Sequence, residues 1–214
     1  MENPIIIFGA NGLGKAAREI FESHGIVIFG FLDDDKSLHG KELGEISILG
    51  STTDDGYLKY IGKKCQAFVA EDNNTARKSM VKMLNDRRKV MPVNAIHSQA
   101  NIAPSAHIGH GNFINTGVTV GANAKISSHC LLHSNSVIDY DADLGDYVQI
   151  GAGSIINSGV KIEDEAFIGS GVTVVSGITI GKGARVGAGS VVIADVTKGE
   201  TVFGNPAQPL KSNT

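Results

Sequence analysis

Cysteine is scarce in this chain: Cys65 and Cys130 lie far apart with no CxxC spacing, so neither a disulfide framework nor a zinc site is indicated. A reducing, cytoplasmic setting is therefore expected. The start, Met1-Glu2-Asn3-Pro4 running into Ile5-Ile6-Ile7-Phe8, lacks the basic region and longer apolar core of a signal peptide. No apolar run approaches the roughly 18 residues of a membrane helix, so no membrane span is expected. Positive charge is not in excess either. With 19 Lys+Arg against 22 Asp+Glu the formal charge is −3, which gives no basic field to gather phosphate backbones. Nucleic acid is not an expected partner.

What is abundant is glycine, 27 of 214 residues, nearly twice the usual ~7%. The length allows one large domain or two small ones, and the two halves differ in build. Before residue 100 there are 13 basic and 13 acidic residues, and after it 6 and 9. The first half mixes short apolar runs (5–8, 26–31, 67–70) with amphipathic stretches at 16–23 and 75–85. Strands alternating with helices predict a parallel α/β layer. The second half carries almost no helical pattern.

Comparing the second half with itself at fixed period gives the reason. From Ile102 the chain divides into hexapeptides whose first positions are all aliphatic, from Ile102, Ile108, Ile114 and Val120 through to Ile180, Val186 and Val192. The fifth positions are small or β-branched (Ala106, Val118, Ala124, Ser136, Val148, Ser154, Val172, Ala184), with Asn112 the main exception. Gly recurs second, as at Gly109, Gly121, Gly145, Gly151, Gly169, Gly181 and Gly187. A six-residue period does not give a helix one apolar face, and a β-sandwich would need strands separated by variable loops. A strand-and-turn solenoid fits. Three hexapeptides per triangular coil would stack the aliphatic positions inside a prism, with Gly relieving crowding at the corners.

These units resemble the hexapeptide pattern of left-handed parallel β-helix acyltransferases over roughly residues 102–197. The whole chain is similar to bacterial sugar O/N-acetyltransferases of the NeuD and PglD type. Further matches are Ile5 to Gly12, Phe31-Leu32-Asp33-Asp34, Ile96-His97-Ser98 and Phe203-Gly204-Asn205-Pro206-Ala207. The resemblance implies a Rossmann-like α/β domain over 1–98, then a left-handed β-helix with a C-terminal cap over 99–214. It also implies a homotrimer that moves acetyl from acetyl-CoA to an amino or hydroxyl group of a free or nucleotide-linked sugar, with no metal. Trimerisation has a physical motive too, since a prism with flat neutral faces buries one face of each chain by packing three around an axis.

At the front end, Gly9-Ala10-Asn11-Gly12-Leu13-Gly14 follows the first strand and opens a helix, where N–H groups and the helix dipole attract anions. A phosphate site, a dinucleotide site for NAD with Asp33 on its ribose, and a tight turn that packs strand to helix are the alternatives. The resemblance implies that Gly9, Asn11, Gly12, Leu13, Asp33, Asp34 and Asp72 grip the nucleotide end of a sugar nucleotide. The family commonly has His where Leu13 stands and Gly where Asp72 stands.

Acetyl transfer requires a base near the attacking group and donors for the tetrahedral oxyanion. The family base is a His followed by an acidic residue, and the matching positions here are Tyr140 and Asp141. A second family His, near the thioester, is Gln149 here. A phenol with a pKa of about 10 is a poor base at neutral pH, and Asp141 beside it does not help. His133 is the alternative base, and Asp141 could take a proton from an ammonium acceptor. His107, His110 and His129 read as structural, and the cluster Asp139, Asp141, Asp143 and Asp146 as a solvated turn. For acetyl-CoA the resemblance implies Gln149, Gly151, Gly169, Ser170 and Ala188, with Gly204, Asn205 and Pro206 bordering the adenosine end. Loss of both family histidines motivates a second reading, a catalytically impaired relative acting as a ligand-binding or regulatory subunit.

Overall fold

The computed structural model describes residues 3–210, and its contacts divide the chain into two units, residues 1–98 and 99–214. In the first unit, the apolar run at the start forms β1 (Ile5–Phe8), buried along its whole length. Helix α1 (Gly12–Ser23) follows, earlier than the amphipathic stretch alone suggests, because Asn11 caps it by accepting the Gly14 N–H. Next come β2 (Ile28–Leu32), β3 (Glu42–Leu43), β4 (Ile46–Gly50), α2 (Asp55–Leu58), β5 (Gln66–Val69) and α3 (Asn74–Arg88).

The strand order is β3-β4-β2-β1-β5, parallel except for the β3–β4 hairpin. The chain builds outward from β1 to β4 and then crosses to β5 on the other side of β1. The reversal in strand order therefore falls between β1 and β5, and ligands of open α/β sheets bind beyond the carboxyl ends of strands at such a point. Ala17, Ile20 and Phe21 bury the face of α1, with Phe21 edge-on to Phe68 at 5.6 Å. Val81 and Leu84 of α3 join Ile6, Phe8, Leu32 and Val69 in one core cluster.

The second unit is a parallel β-helix. Two-residue strands alternate with four-residue corners, and each strand pairs with the strand eighteen residues on, as in Val120↔Ile102 and Ile138↔Val120. The first face runs from Asn101–Ile102 to Val191–Val192, the second from His107–Ile108 to Thr179–Ile180, and the third from Phe113–Ile114 to Thr201–Gly204. The aliphatic first positions point inward, and from Ile114 to Val192 every one is buried. Ile102 and Ile108, on the first coil, are only half-buried.

Two separate constraints explain the glycine. At the fourth position of each hexapeptide from Gly111 to Gly189 the backbone is left-handed, whether the residue is Gly or one of Asn123, His129, Asn135, Asp141, Tyr147 and Glu165. At the second position the fault is distance: a Cβ on Gly169 would stand 2.6 Å from the Ala188 nitrogen of the next coil. Asn112, the exception among the small fifth positions, is fully buried but bonded: its amide donates to Ser127 O at 2.9 Å, and its oxygen accepts the Cys130 N–H at 2.7 Å. The last strand turns back on itself, with Ala207–Pro209 antiparallel to Thr201–Gly204.

Candidate functional site

Corner positions recur every eighteen residues, so the hexapeptide phase decides which candidates share a wall. The corner after the third face stacks His133, Gly151, Gly169 and Gly187 at its second position and Ser134, Ala152, Ser170 and Ala188 at its third. Gln149 projects from the third face itself, in register with Leu131 above and Phe167 below. His133, Gln149, Gly151, Gly169, Ser170 and Ala188 are thereby brought onto one wall. Ser170 and Ala188 are exposed, and a Cβ added at Gly153, Gly171 or Gly189 would meet nothing within 4 Å. From Gly151 to Ser190 this corner is a strip almost without side chains, open to solvent, along which an extended chain with amide groups can lie. His133 stands at its head, half-buried, its ring 6.1 Å from that of Phe113. Gly204, Asn205 and Pro206 form the turn of the terminal hairpin, with the Gly204 N–H donating to Ser190 Oγ at 3.0 Å.

Tyr140 and Asp141 lie elsewhere. They sit on the corner after the first face, and within one chain the strand Val137–Ile138 separates them from His133. Tyr140 is 53% exposed, its backbone N–H donates to Asp139 Oδ1 at 2.8 Å, and Asp141 occupies the left-handed turn position. His129 is on the remaining corner, buried and stacked on Tyr147 at 4.9 Å. The second face outside it is a charge ladder, Lys125 opposite Asp143 opposite Lys161. A cavity of about 350 Å³ there is lined by Asp143, Lys161, Glu163, Asp164 and Lys182. Lys182 pairs with Asp164 at 3.2 Å and Glu165 at 3.5 Å, and the hydrogen bond it donates to Asp164 Oδ2 holds its amine above the usual lysine value. Among the described residues, no group of three or more His, Cys, Asp or Glu is placed to hold a metal.

In the first unit, the glycine loop divides by role. A Cβ on Gly9 would collide with Ala70 O, and one on Gly14 with Gly9 O, so both serve the close approach of loop to strand. Gly12 has open space around it and is exposed. Leu13 is buried in the core, which leaves only its backbone for a ligand. Asn11 bridges the crevice at the strand-order reversal, donating to Ala70 O at 2.9 Å. The Asp33 carboxylate accepts the Ala10 N–H at 2.8 Å and the Asp35 N–H at 2.9 Å, so the Ala10 amide of the loop is already occupied by this chain's own anion.

Asp34 accepts from the backbone and hydroxyl of Thr52. Beside that pair lies a largely apolar cavity of about 280 Å³, lined by Asp34, Thr52, Ala76, Met80 and Met83. Asp72 is exposed, and its carbonyl accepts from Arg77, which is fully buried and also donates to Glu71 O. Thr52 and Met80 escaped the sequence reading because their neighbours are distant in the chain, whereas Arg77, whose partners Glu71 and Asp72 are close in sequence, looks like an ordinary surface cation of an amphipathic stretch until the structure buries it.

Residues 4–84 match the PglD N-terminal domain, and residues 159–194 match the bacterial transferase hexapeptide (six repeats). Among curated protein sequences, none matches this one. Among solved structures, PerB from Caulobacter crescentus, in complex with CoA and GDP-perosamine, is 29% identical with a TM-score of 0.89, covering 99% of each chain. The acetyltransferase domain of PglB from Neisseria gonorrhoeae FA1090, in complex with acetyl coenzyme A, is 26% identical with a TM-score of 0.88, covering 98% of this chain and 100% of that one. WeeI from Acinetobacter baumannii AYE is 28% identical with a TM-score of 0.86, covering 97% and 99%. The class these findings define is the hexapeptide-repeat acyltransferases, whose β-helix is left-handed. Within it the chain has the two-domain build of the NeuD/PglD-type sugar acetyltransferases, an α/β domain followed by the β-helix.

Proposed function

We propose that this chain is an acetyl-CoA-dependent acetyltransferase acting on an amino or hydroxyl group of a nucleotide-linked sugar in bacterial glycan synthesis. The observation that carries the reading is the match over the whole chain to PerB, described as a GDP-perosamine N-acetyltransferase and solved with CoA and GDP-perosamine. A likeness confined to the β-helix would leave the acceptor open, whereas this one includes the α/β unit. It also leaves the NAD reading of the glycine loop without support.

The acyl donor lies along the side-chain-free corner from Gly151 to Ala188, with Gln149 donating to a thioester or pantetheine oxygen and Gly204, Asn205 and Pro206 bordering the adenosine. The nucleotide of the acceptor lies at the loop of Asn11 and Gly12, with the carboxylates of Asp33 and Asp34 toward its ribose or base and Asp72 on the opposite rim. The acceptor's lone pair attacks the thioester carbonyl, the new C–N or C–O bond forms as the C–S bond breaks, and one proton must leave the attacking atom. His133, at the head of the donor strip, takes that proton.

Tyr140 and Asp141 join the site only if another copy supplies them, which is the chemical reason for expecting a homotrimer. The faces suit that assembly. The second face is charged, while the first presents Thr119, Val137, Ile155, Thr173 and Val191, with Ile155 41% exposed. No helix among the described residues is long and apolar enough to cross a membrane, and a cytoplasmic location is part of the same proposal.

Calorimetric titration with acetyl-CoA and CoA is the first test, because it needs no acceptor; micromolar binding near one site per chain is expected, and no binding sinks the reading. With a nucleotide-linked amino sugar, His133→Ala should lower turnover by about a hundredfold, the scale of general-base loss. Tyr140 and Gln149 favour one other reading, an impaired relative that binds without transfer. In that case Tyr140→His with Gln149→His creates activity that the unaltered protein lacks.

A further inference from the structure

The outward positions of the third face, read coil by coil, are Phe113, Leu131, Gln149, Phe167 and Arg185, each in register with the next. The series passes from buried to exposed, ending at a cation. Among the described residues, Arg185 is the only Lys or Arg on this face, on the corner that follows it or in the terminal hairpin. The other cations of the β-helix, Lys125, Lys161, Lys182 and Lys198, lie on the second face or the corner after it.

Arg185 is also held in place. Its guanidinium lies over the Phe167 ring, 4.5 Å from the centroid, an attraction that restrains an otherwise mobile side chain. The Arg185 strand pairs with Thr201–Gly204, so this cation stands one coil from the hairpin turn at Gly204, Asn205 and Pro206.

We propose that Arg185 binds a phosphate group of the CoA moiety, an inference that rests on the acetyl-CoA reading above. Neighbouring strands are about 4.8 Å apart, so the coil of Arg185 lies roughly 10 Å from that of Gln149. A pantetheine arm laid down the bare corner with its thioester at Gln149 carries its phosphates toward Arg185 and the hairpin. A guanidinium suits that end of the ligand, since its N–H groups form a fork matched to phosphate oxygens. The rest of the wall offers only neutral groups and His133.

The test is binding and KM for acetyl-CoA, 3′-dephospho-acetyl-CoA and S-acetylpantetheine, with the full-length wild type, Arg185→Ala and Phe167→Leu. Arg185→Ala should raise the acetyl-CoA Kd about tenfold, leave S-acetylpantetheine unchanged, and flatten the salt dependence of donor binding. Phe167→Leu should give a smaller loss in the same direction. If the phosphate is the 3′-phosphate, Arg185→Ala leaves the dephospho donor unaffected; if it is the pyrophosphate, both nucleotide donors weaken together. The inference is overturned if Arg185→Ala binds acetyl-CoA as well as wild type, or if it weakens acetyl-CoA and S-acetylpantetheine by the same factor. A wild type that binds none of the three overturns the donor reading itself.

Discussion

Gly169→Ala and Gly171→Ala place the same methyl two residues apart and should fail for different reasons. At Gly169 the new Cβ would stand 2.6 Å from Ala188 N, 2.8 Å from Ala188 Cα and 3.0 Å from Gly187 C, against roughly 3.5–4.0 Å for comfortable contact. The obstacle is backbone, and the two coils are tied together by the Gly169 N–H donating to Val186 O at 2.8 Å. Neither partner can rotate away, so the cost belongs near the top of the overpacking range, about 3 kcal/mol. At Gly171 nothing lies within 4 Å, but φ is +67°. There the left-handed conformation costs roughly 1–2 kcal/mol, partly offset by about 0.4–1 kcal/mol from a stiffer unfolded chain. With a melting shift of about 2–4 °C per kcal/mol at this chain length, Gly169→Ala should lower Tm by roughly 6–12 °C and Gly171→Ala, at a net cost of about 0–1.6 kcal/mol, by no more than about 6 °C. Scanning calorimetry at one fixed protein concentration, which holds any self-association constant, reads both. A Gly171→Ala loss equal to or larger than that of Gly169→Ala would refute the argument that distance, not dihedral, dictates glycine at the second position.

Two further predictions concern buried groups. Asn112→Ala strips partners from the Cys130 N–H and the Ser127 carbonyl; at roughly 1–3 kcal/mol per orphaned group it should cost about 2–4 kcal/mol in urea unfolding, and a loss under 1 kcal/mol counts against the account of Asn112. Cys65 is 2% exposed, and burial pushes its thiol above the ordinary 9.0. The unfolded chain therefore loses this proton at lower pH than the folded one, so the stabilising contribution is full below pH 9.0 and declines as pH rises toward the folded value. Cys65→Ala should flatten the alkaline side of the stability profile above pH 9.0, and an unchanged slope would show that another group controls it.

How much of this was readable in the sequence depends on the range of the interactions. The β-helix was legible because its rule is local and repeated: an aliphatic residue every sixth position leaves little choice, and Asn112 marked itself as the main exception to the small or β-branched fifth positions. The division of the glycine loop was not legible, since Gly9 owes its identity to Ala70 O, far away in the chain, and Gly14 to Gly9 O, not to any ligand. Leu13 likewise reads as a loop residue until the helix starting at Gly12 turns it into the core.

The corner assignment is the instructive case, because its signal was present in the numbering. His133 and Tyr140 look close at seven residues apart, but in a coil of eighteen they fall on different corners. Gln149, Phe167 and Arg185, eighteen apart, are direct neighbours. A six-residue period identifies the fold; only its multiple by three says which side chains meet. Taken at that period, Gln149, Gly151, Gly169, Ser170 and Ala188 share one wall with the His133 imidazole at its head and Arg185 near its foot, while Tyr140 stands on another corner. On the acetyl-CoA reading proposed above, a change at Tyr140 therefore leaves that wall untouched within one chain, and its effect is expected on deprotonation of the acceptor rather than on donor binding.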